Sequence, residues 1–479
     1  MRLSARTLDQ LPPDVARPSY DRSAMRQGVV HLGVGAFHRA HQAVVFDDAL
    51  ASGDMRWGIT GVSLRSAGVR HQLVPQDGLY TVVVRDGTAE AARIVGAVRD
   101  VLVAPENPQA VIAAIAAPET HIVTLTITEK GYKLDRAAGG LLRDDPDVTH
   151  DLSSLEAPRT AAGFIVAGLA KRRTEGLSPI TVISCDNLPD NSHLLREAVL
   201  AMALAHDADL ASWIDQTIAF PATMIDRIVP ATTPGDIDAL ADRVGLEDQA
   251  MVKAEPFLQW VIEDRFSGER PDFESLGVQL ASEIAPWEMA KLRLLNGAHS
   301  AIAYLGGLAG DQFVHEFVAR DTVKRFVEAL WDEAETTLVP PPGLDIPAYR
   351  AELMARFSNP ALQHRTRQIA MDGSQKLPQR LLATVRDRRV KGKEVDALAL
   401  GVAAWMRWQG GRTDTGEAFL VDDPIADSLA EASKGGPAAL LSALGVELDE
   451  NAQAKIAEYL EILEQEGAKA AILRVGTSA

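Results

Sequence analysis

Gly28-Val29-Val30-His31-Leu32-Gly33-Val34-Gly35 is the stretch whose reading decides the fold. A short apolar run ends in a Gly-x-Gly step, the pattern of a buried parallel strand feeding a tight turn. A helical pattern follows from Phe37 to about Ala51, with Gly53 as its stop. Strand, Gly-x-Gly and helix together form the opening of a dinucleotide-binding unit. The glycines let the backbone approach a pyrophosphate, and the helix N-terminus offers it unpaired N–H groups. The third glycine of the usual fingerprint is absent, because the loop continues Ala36-Phe37-His38-Arg39. A plain glycine turn is the competing reading. Arg39, in the first helical turn, reads as a phosphate ligand or as a solvated helix residue.

The elements that follow alternate between strand and helix. Trp57–Leu64 is the second strand, and it runs into Arg65-Ser66-Ala67-Gly68. An acidic residue that binds the ribose hydroxyls often ends this strand in NAD-selective units. None stands here, and Arg65 would tolerate a 2′-phosphate, so NADP stays open beside NAD. Tyr80–Arg85 is a further strand and Pro108–Ala117 a helix. His121–Thr128 is a buried strand ending in Glu129-Lys130-Gly131-Tyr132 at the edge where α/β folds place ligands. Ala161–Arg173 is helical. Ile180–Ser184 is a strand ending in Cys185-Asp186-Asn187-Leu188-Pro189. Asn187 is then either a polar group at the ligand edge or part of an Asx turn. Cys185 reads as packed core rather than as a reactive thiol. Asp226, in the apolar stretch Phe220–Ile228, pairs with Arg227 or tunes a nearby lysine or amide.

From Pro286 the texture turns helical, with patterns over Met289–Leu308, Thr322–Leu338, Ile346–Phe357, Leu377–Arg388 and Val395–Trp408. The fold class is therefore α/β. A Rossmann-type domain over residues 1–285 precedes a mainly helical domain over 286–479. At 479 residues the chain is too long for a single core. Its formal net charge of −18 argues against a nucleic-acid surface and an anionic membrane. Its apolar runs fall short of the roughly 20 residues of a membrane span. One cysteine excludes an intrachain disulfide and favours a cytoplasmic setting. Met1 to Asp21 carries no apolar core of a signal peptide.

The first helical pattern of the second half carries Lys291, Asn296 and His299. At about 100° per residue they fall within an arc of about 140°. A lysine in an apolar pocket can serve as a base near neutrality, an amide can hold a reacting oxygen, and an imidazole can bind a neighbouring hydroxyl. An amphipathic helix with a surface lysine is the alternative. Downstream, the segment from His364 to Arg380 carries His364, Arg365, Arg367, Lys376 and Arg380 around a single acid, Asp372. In so acidic a protein this group is suited to a carboxylate or hydroxyls, unless it is a solvated surface.

Four motifs together resemble the polyol-specific long-chain dehydrogenases, the mannitol dehydrogenase family: His31–Ala43, Thr126–Tyr132, Ser184–Asn187, and the Lys-x4-Asn-x2-His of Lys291–His299. The resemblance runs from about Arg17 to about Asp423. It implies Lys291 as general base, Asn187 and Asn296 flanking the reacting oxygen, His299 on the adjacent hydroxyl, and Asp226 supporting the lysine. The cofactor contacts expected are Gly33, Gly35, Ala36, Phe37, Arg39, Arg65, Thr128 and Glu129. Substrate contacts fall at His299, Lys376, Arg367 and Gln368, and no metal is required. The stretch Arg365–Arg380 is most similar to the branch that interconverts D-mannonate and D-fructuronate with NAD. A mannitol- or arabinitol-type 2-dehydrogenase is the alternative, and a catalytically silent NAD(H)-binding regulator is the alternative of another class. The implied partners are small molecules alone, with a monomer or weak oligomer as the assembly.

Overall fold

The computed structural model describes residues 1–135 and 139–475. It divides into two compact units, Met1–Ile284 and Ala285–Ala479.

The first unit is built on β1 (Gln27–Leu32), whose Val29, Val30, His31 and Leu32 are fully buried. Its partners are β2 (Gly58–Ser63) and, further along the chain, β6 (Ile122–Leu125), both parallel to it. Numbering the intervening strands β3 (Tyr80–Asp86), β4 (Ala89–Val95) and β5 (Val98–Val103), and the next β7 (Thr181–Ser184), gives a five-stranded parallel sheet of order β5-β2-β1-β6-β7. Strands buried on both faces explain the near-continuous apolar runs in the sequence. Helices Pro108–Ala116 and Ala161–Thr174 cover this sheet. They lie so close that a Cβ on Gly168 would overlap Ile115. Each starts with a side-chain cap: Asn107 accepts from Ala110 N at 3.0 Å and Thr160 from Gly163 N at 2.9 Å.

Two smaller sheets flank this core. β3 and β4 form an antiparallel hairpin turning at Gly87, and β9 (Val252–Ala254) joins β3 in parallel. β8 (Thr223–Asp226), β10 (Gln259–Glu263) and β11 (Gln279–Ala281) make the other. The helix expected from Phe37 to Ala51 is interrupted. It runs as Ala36–Ala40 and Gln42–Ala51, with His41 at φ −125°, ψ −90° between them. The His41 imidazole is tied to the Gln259 carbonyl at 2.9 Å, which holds the break.

The second unit is helical. Ala298–Leu308 is buried almost along its whole length, and Asp321–Glu335, Asp396–Trp408 and Glu450–Glu466 are further helices of this unit. The expected helix Met289–Leu308 contains a finding of its own. Ala285–Ala290 and Ala298–Leu308 are α-helical, but Lys291–Gly297 between them is a π-helix. A second π-segment, Pro378–Leu382, interrupts the helix expected over Leu377–Arg388. The two approach each other so closely that a Cβ on Gly297 would lie 2.9 Å from the Arg380 carbonyl oxygen. Wider turns free backbone carbonyls. One of them, Leu294, accepts from the Trp331 indole at 2.8 Å. Among the described residues no helix is long and apolar enough to cross a membrane.

The N-terminus of Asp396–Trp408 lacks a side-chain cap of its own. Glu333, 8% exposed, supplies one from a neighbouring helix, accepting from Ala397 N at 2.9 Å and Leu398 N at 3.0 Å. Burial pushes its carboxyl up to about 7 against those two hydrogen bonds. The folded chain thus keeps a proton that the unfolded chain has lost above the ordinary glutamate value of 4.5. The stability this confers is full below that value and is lost as pH rises through about 7. Across that window the melting temperature of the protein should fall relative to that of Glu333→Gln. Parallel curves for the two proteins would contradict the assignment.

Candidate functional site

At the C-terminal edge of the parallel sheet lies a cleft of about 750 Å³. Gly33, Val34 and Gly35 line it, with Ser63 to Ser66 after β2, Ala104 and Pro105 after β5, and Thr126 and Ile127 after β6. Gly33 has φ +97°, and a Cβ there would overlap the Thr126 carbonyl. A Cβ on Gly35 would instead stand in open space, with Gly33 O at 3.9 Å its nearest neighbour, so glycine keeps the cleft floor clear. These are the conditions a pyrophosphate needs for close approach to backbone.

Side chains from three strands hold the floor. The Thr126 hydroxyl donates to the Gly33 carbonyl at 2.8 Å. The His31 ring spans Thr124 Oγ1, at 2.7 Å from Nδ1, and Gly33 O and Thr126 Oγ1, at 3.1 and 3.0 Å from Nε2. Because the Thr126 proton is already committed, His31 donates from Nε2 and accepts at Nδ1. Burial pushes His31 down to about 3, so the ring stays neutral. Asp186, just past β7, accepts from Ile127 N, Thr128 N and the Tyr132 hydroxyl at 2.8–3.1 Å. Burial pushes its carboxyl up, and those three hydrogen bonds oppose the shift. Asp186 therefore fixes the turn in which Thr128 adopts φ +65°. Sequence reasoning passed over it in favour of Asn187. The available signal was an acid directly after a buried strand.

The remaining residues expected in this unit are placed as follows. Ala36 and Phe37 start the helix behind the glycine turn, and Phe37 stacks on His41 at 5.2 Å. Thr128 and Glu129 are exposed in the turn that contributes Gly131 to the cleft. Arg65 is exposed and lines the cleft. Arg39 is a correction. It is 7% exposed and absent from the cleft lining, and its guanidinium donates to the Ala250 carbonyl and, at 3.4 Å, to Gly35 O. It braces the turn from behind. Asn187 is exposed beside Asp186, and Asp226 is buried at the end of β8 opposite Gln259. Cys185 is fully buried, and burial pushes its thiol up, as expected of core.

In the second unit the π-register reshapes the candidate catalytic helix. In an α-helix, five residues turn through about 500°, leaving residue 296 about 140° from residue 291. Bonds of the i→i+5 kind widen the turn and reduce that offset, bringing Asn296 toward the face of Lys291. Lys291 is 6% exposed. His299 lies between Phe357, stacked at 5.3 Å, and His364, edge-on at 4.7 Å. Its Nε2 is buried without a hydrogen-bond partner among the described residues. Burial, then the charges of His364, Arg380, Arg356 and Lys376, hold its pKa well below the usual histidine value. Burial and then Arg356 push His364 down to about 4. Burial and the neighbouring Arg380 lower Lys376, whose ammonium donates to Met371 O at 2.6 Å. Arg380 donates to Ser300 Oγ at 3.1 Å. The outcome is a neutral imidazole with an open nitrogen amid basic side chains. Arg367 and Gln368 are not part of this group. Both are exposed, and Arg367 pairs with Glu417 at 2.8 Å and lies over the Phe419 ring. Among the described residues no set of three or more His, Cys, Asp or Glu is placed to hold a metal ion.

The profile of the mannitol dehydrogenase Rossmann domain matches residues 27–275, and that of the mannitol dehydrogenase C-terminal domain matches residues 283–462. D-mannonate oxidoreductase of Escherichia coli (strain K12) is 46% identical over 417 residues, covering 86% of each chain. Mannitol 2-dehydrogenase of Pyrenophora tritici-repentis is 40% identical over 485 residues, covering 98% of this chain and 86% of its own. The Pseudomonas fluorescens mannitol 2-dehydrogenase, solved as a ternary complex with NAD and D-mannitol, superposes with a TM-score of 0.85 at 36% identity, covering all of both chains.

Gly33→Ala forces a side chain into both a positive φ and the Thr126 carbonyl, a strain of about 1–3 kcal/mol. It should lower the apparent melting temperature by at least about 2 °C. An unchanged melting temperature would mean that the turn relaxes freely.

Proposed function

The chain belongs to the mannitol dehydrogenase family, and from that premise we propose that it interconverts D-mannonate and D-fructuronate with NAD. As a member it is a dehydrogenase acting on CH–OH groups. The observation that carries the finer reading is the basic group about His299. Lys376 and Arg380 share a half-buried environment with His299, His364 and Arg356, and their charges act on one another across it. In a protein of net charge −18 that half-buried concentration of positive charge favours an anionic substrate. A sugar acid supplies the anion and a polyol does not. The polyol 2-dehydrogenase reading is favoured by the likeness to the mannitol 2-dehydrogenases.

The cleft above Gly33 and Gly35 suits NAD, with Gly33, Gly35, Thr126 and Arg65 as the residues that would hold it. When bound, the nicotinamide supplies the acceptor for the hydride that leaves the alcohol carbon. The rest is done by the chain. Lys291, as a neutral amine, takes the hydroxyl proton, so that the O–H and C–H bonds break as the C=O bond forms. Asn296 donates to the oxygen as charge develops on it. The open Nε2 of His299 hydrogen-bonds the adjacent hydroxyl, and its depressed pKa keeps it neutral throughout the working range.

Lys291→Ala should lower turnover on D-mannonate by about 10²–10⁴-fold, and added primary amines should restore part of it. Near-native turnover would refute the base assignment. Lys376→Ala should weaken kcat/KM for D-mannonate at least about tenfold more than for D-mannitol, since it removes a charged partner of the carboxylate alone. Equal losses on both substrates would remove the carboxylate site.

A further inference from the structure

Resting on the sugar-acid reading above, we propose that Asp423 is a positioning residue for the substrate: from a strap far along the chain it fixes the start of the helix that carries Lys376, and so sets where that ammonium meets a carboxylate. The helix is poorly provided for at its own start. Gly373–Leu377, the π-segment Pro378–Leu382 and Ala383–Val390 follow one another directly. Asp372 stands ahead of them at φ +54° and gives no side-chain cap. Asp423 supplies one, accepting from Ser374 N at 2.7 Å and from the Ser374 hydroxyl at 2.6 Å. Its neighbour acts at the same place, for the Asp422 carbonyl accepts from Asp372 N at 3.0 Å. A Cβ on Gly373 would overlap Trp405 Nε1 and the Tyr304 hydroxyl, so the helix start is also wedged against those two rings.

What is fixed there bears directly on Lys376. Its ammonium donates to Met371 O at 2.6 Å and lies 3.5 Å from the Asp372 carboxylate, and these are the two residues just before the helix. Holding Asp372 and Ser374 therefore holds the acceptors that aim the ammonium. Charge works in the same direction. Burial and Arg380 lower Lys376, and Asp372 and Asp423 oppose that shift. The strap, Gly411 to Asp423, is itself anchored. Asp423 Oδ1 accepts from Ile425 N at 3.1 Å, which orients the carboxylate. Phe419 packs on Trp408 with ring centroids 4.0 Å apart, and its N–H donates to the Gly411 carbonyl at 2.8 Å. Asp414 N donates to Leu308 O at 2.8 Å, and the Asp414 carboxylate accepts from Ala468 N at 2.8 Å. A cap that only supported the fold would have no bond to the residues that aim a substrate-binding ammonium.

Michaelis kinetics on D-mannonate and D-mannitol separate positioning from support of the fold. Asp423→Ala should raise KM for D-mannonate about fivefold, as expected for the loss of one cap, with kcat within about twofold and KM for D-mannitol little changed. Asp423→Asn, which keeps one acceptor, should lie between that variant and the native protein. In a Lys376→Ala background the Asp423→Ala change should add less than about twofold, because the ammonium it positions is gone. If Asp423→Ala does not fold, Ser374→Ala reads the same coupling: a smaller rise in KM for D-mannonate, abolished by Lys376→Ala. Equal losses on both substrates, or full additivity with Lys376→Ala, would overturn the positioning role and leave the sugar-acid reading standing. No turnover of D-mannonate by the native protein would overturn both.

Discussion

The Thr126 carbonyl occupies the place a side chain would need on residue 33, and the cleft depends on that exclusion. β1 can end in its turn only with glycine there, at φ +97°. The turn is then fastened from three sides: by Val62 of β2, by Thr126 and the neutral His31, and by the buried Arg39 behind Gly35. Asp186 extends the same bracing to the loop after β6. A polar binding surface is thus built on strands whose other residues are almost wholly apolar, and His31, Arg39, Thr126 and Asp186 are each held there by hydrogen bonds. Pre-organisation of that kind is what lets a flexible dinucleotide bind without ordering its site.

The second unit meets a different demand. It must keep a lysine, an amide and an imidazole on one helix face while retaining charge in a half-buried environment. The π-register of Lys291–Gly297 does the first, and it is stabilised by the Trp331 indole on a freed carbonyl and by Arg293, whose guanidinium reaches Thr337 O and Asp387. The second follows from packing Lys376, Arg380, Arg356 and His364 around His299, with the cost visible as basic groups driven below their usual pKa values. A ligand anion would relieve that cost, which is why the group reads as a binding site rather than as a stabilising one.

Much of this is legible in the amino-acid sequence. Val29 to Leu32 read as a buried strand, which they are, and Lys-x4-Asn-x2-His together with the other three motifs pointed to one family, to which the chain does belong. What stayed hidden was decided at long range. Arg39 sits where a phosphate ligand would, but a carbonyl more than two hundred residues away claims its guanidinium. The π-segments keep the residue types of ordinary helices, and tertiary packing selects their register. β8 to β11 are three to five residues long, too short for periodicity to reveal. Arg367 and Lys376 look alike in sequence, yet Glu417 and Phe419 hold the first at the surface, while the second is half-buried, 3.5 Å from Asp372, with its charge acting on His299.

The substrate preference of the second unit turns on whether its basic group serves a carboxylate. The direct measurement is the catalytic efficiency of the native protein on D-mannonate and on D-mannitol, side by side with NAD at one pH and ionic strength. The account predicts a clear preference for D-mannonate that narrows as salt is added. Equal efficiencies, or a preference for D-mannitol, would contradict it.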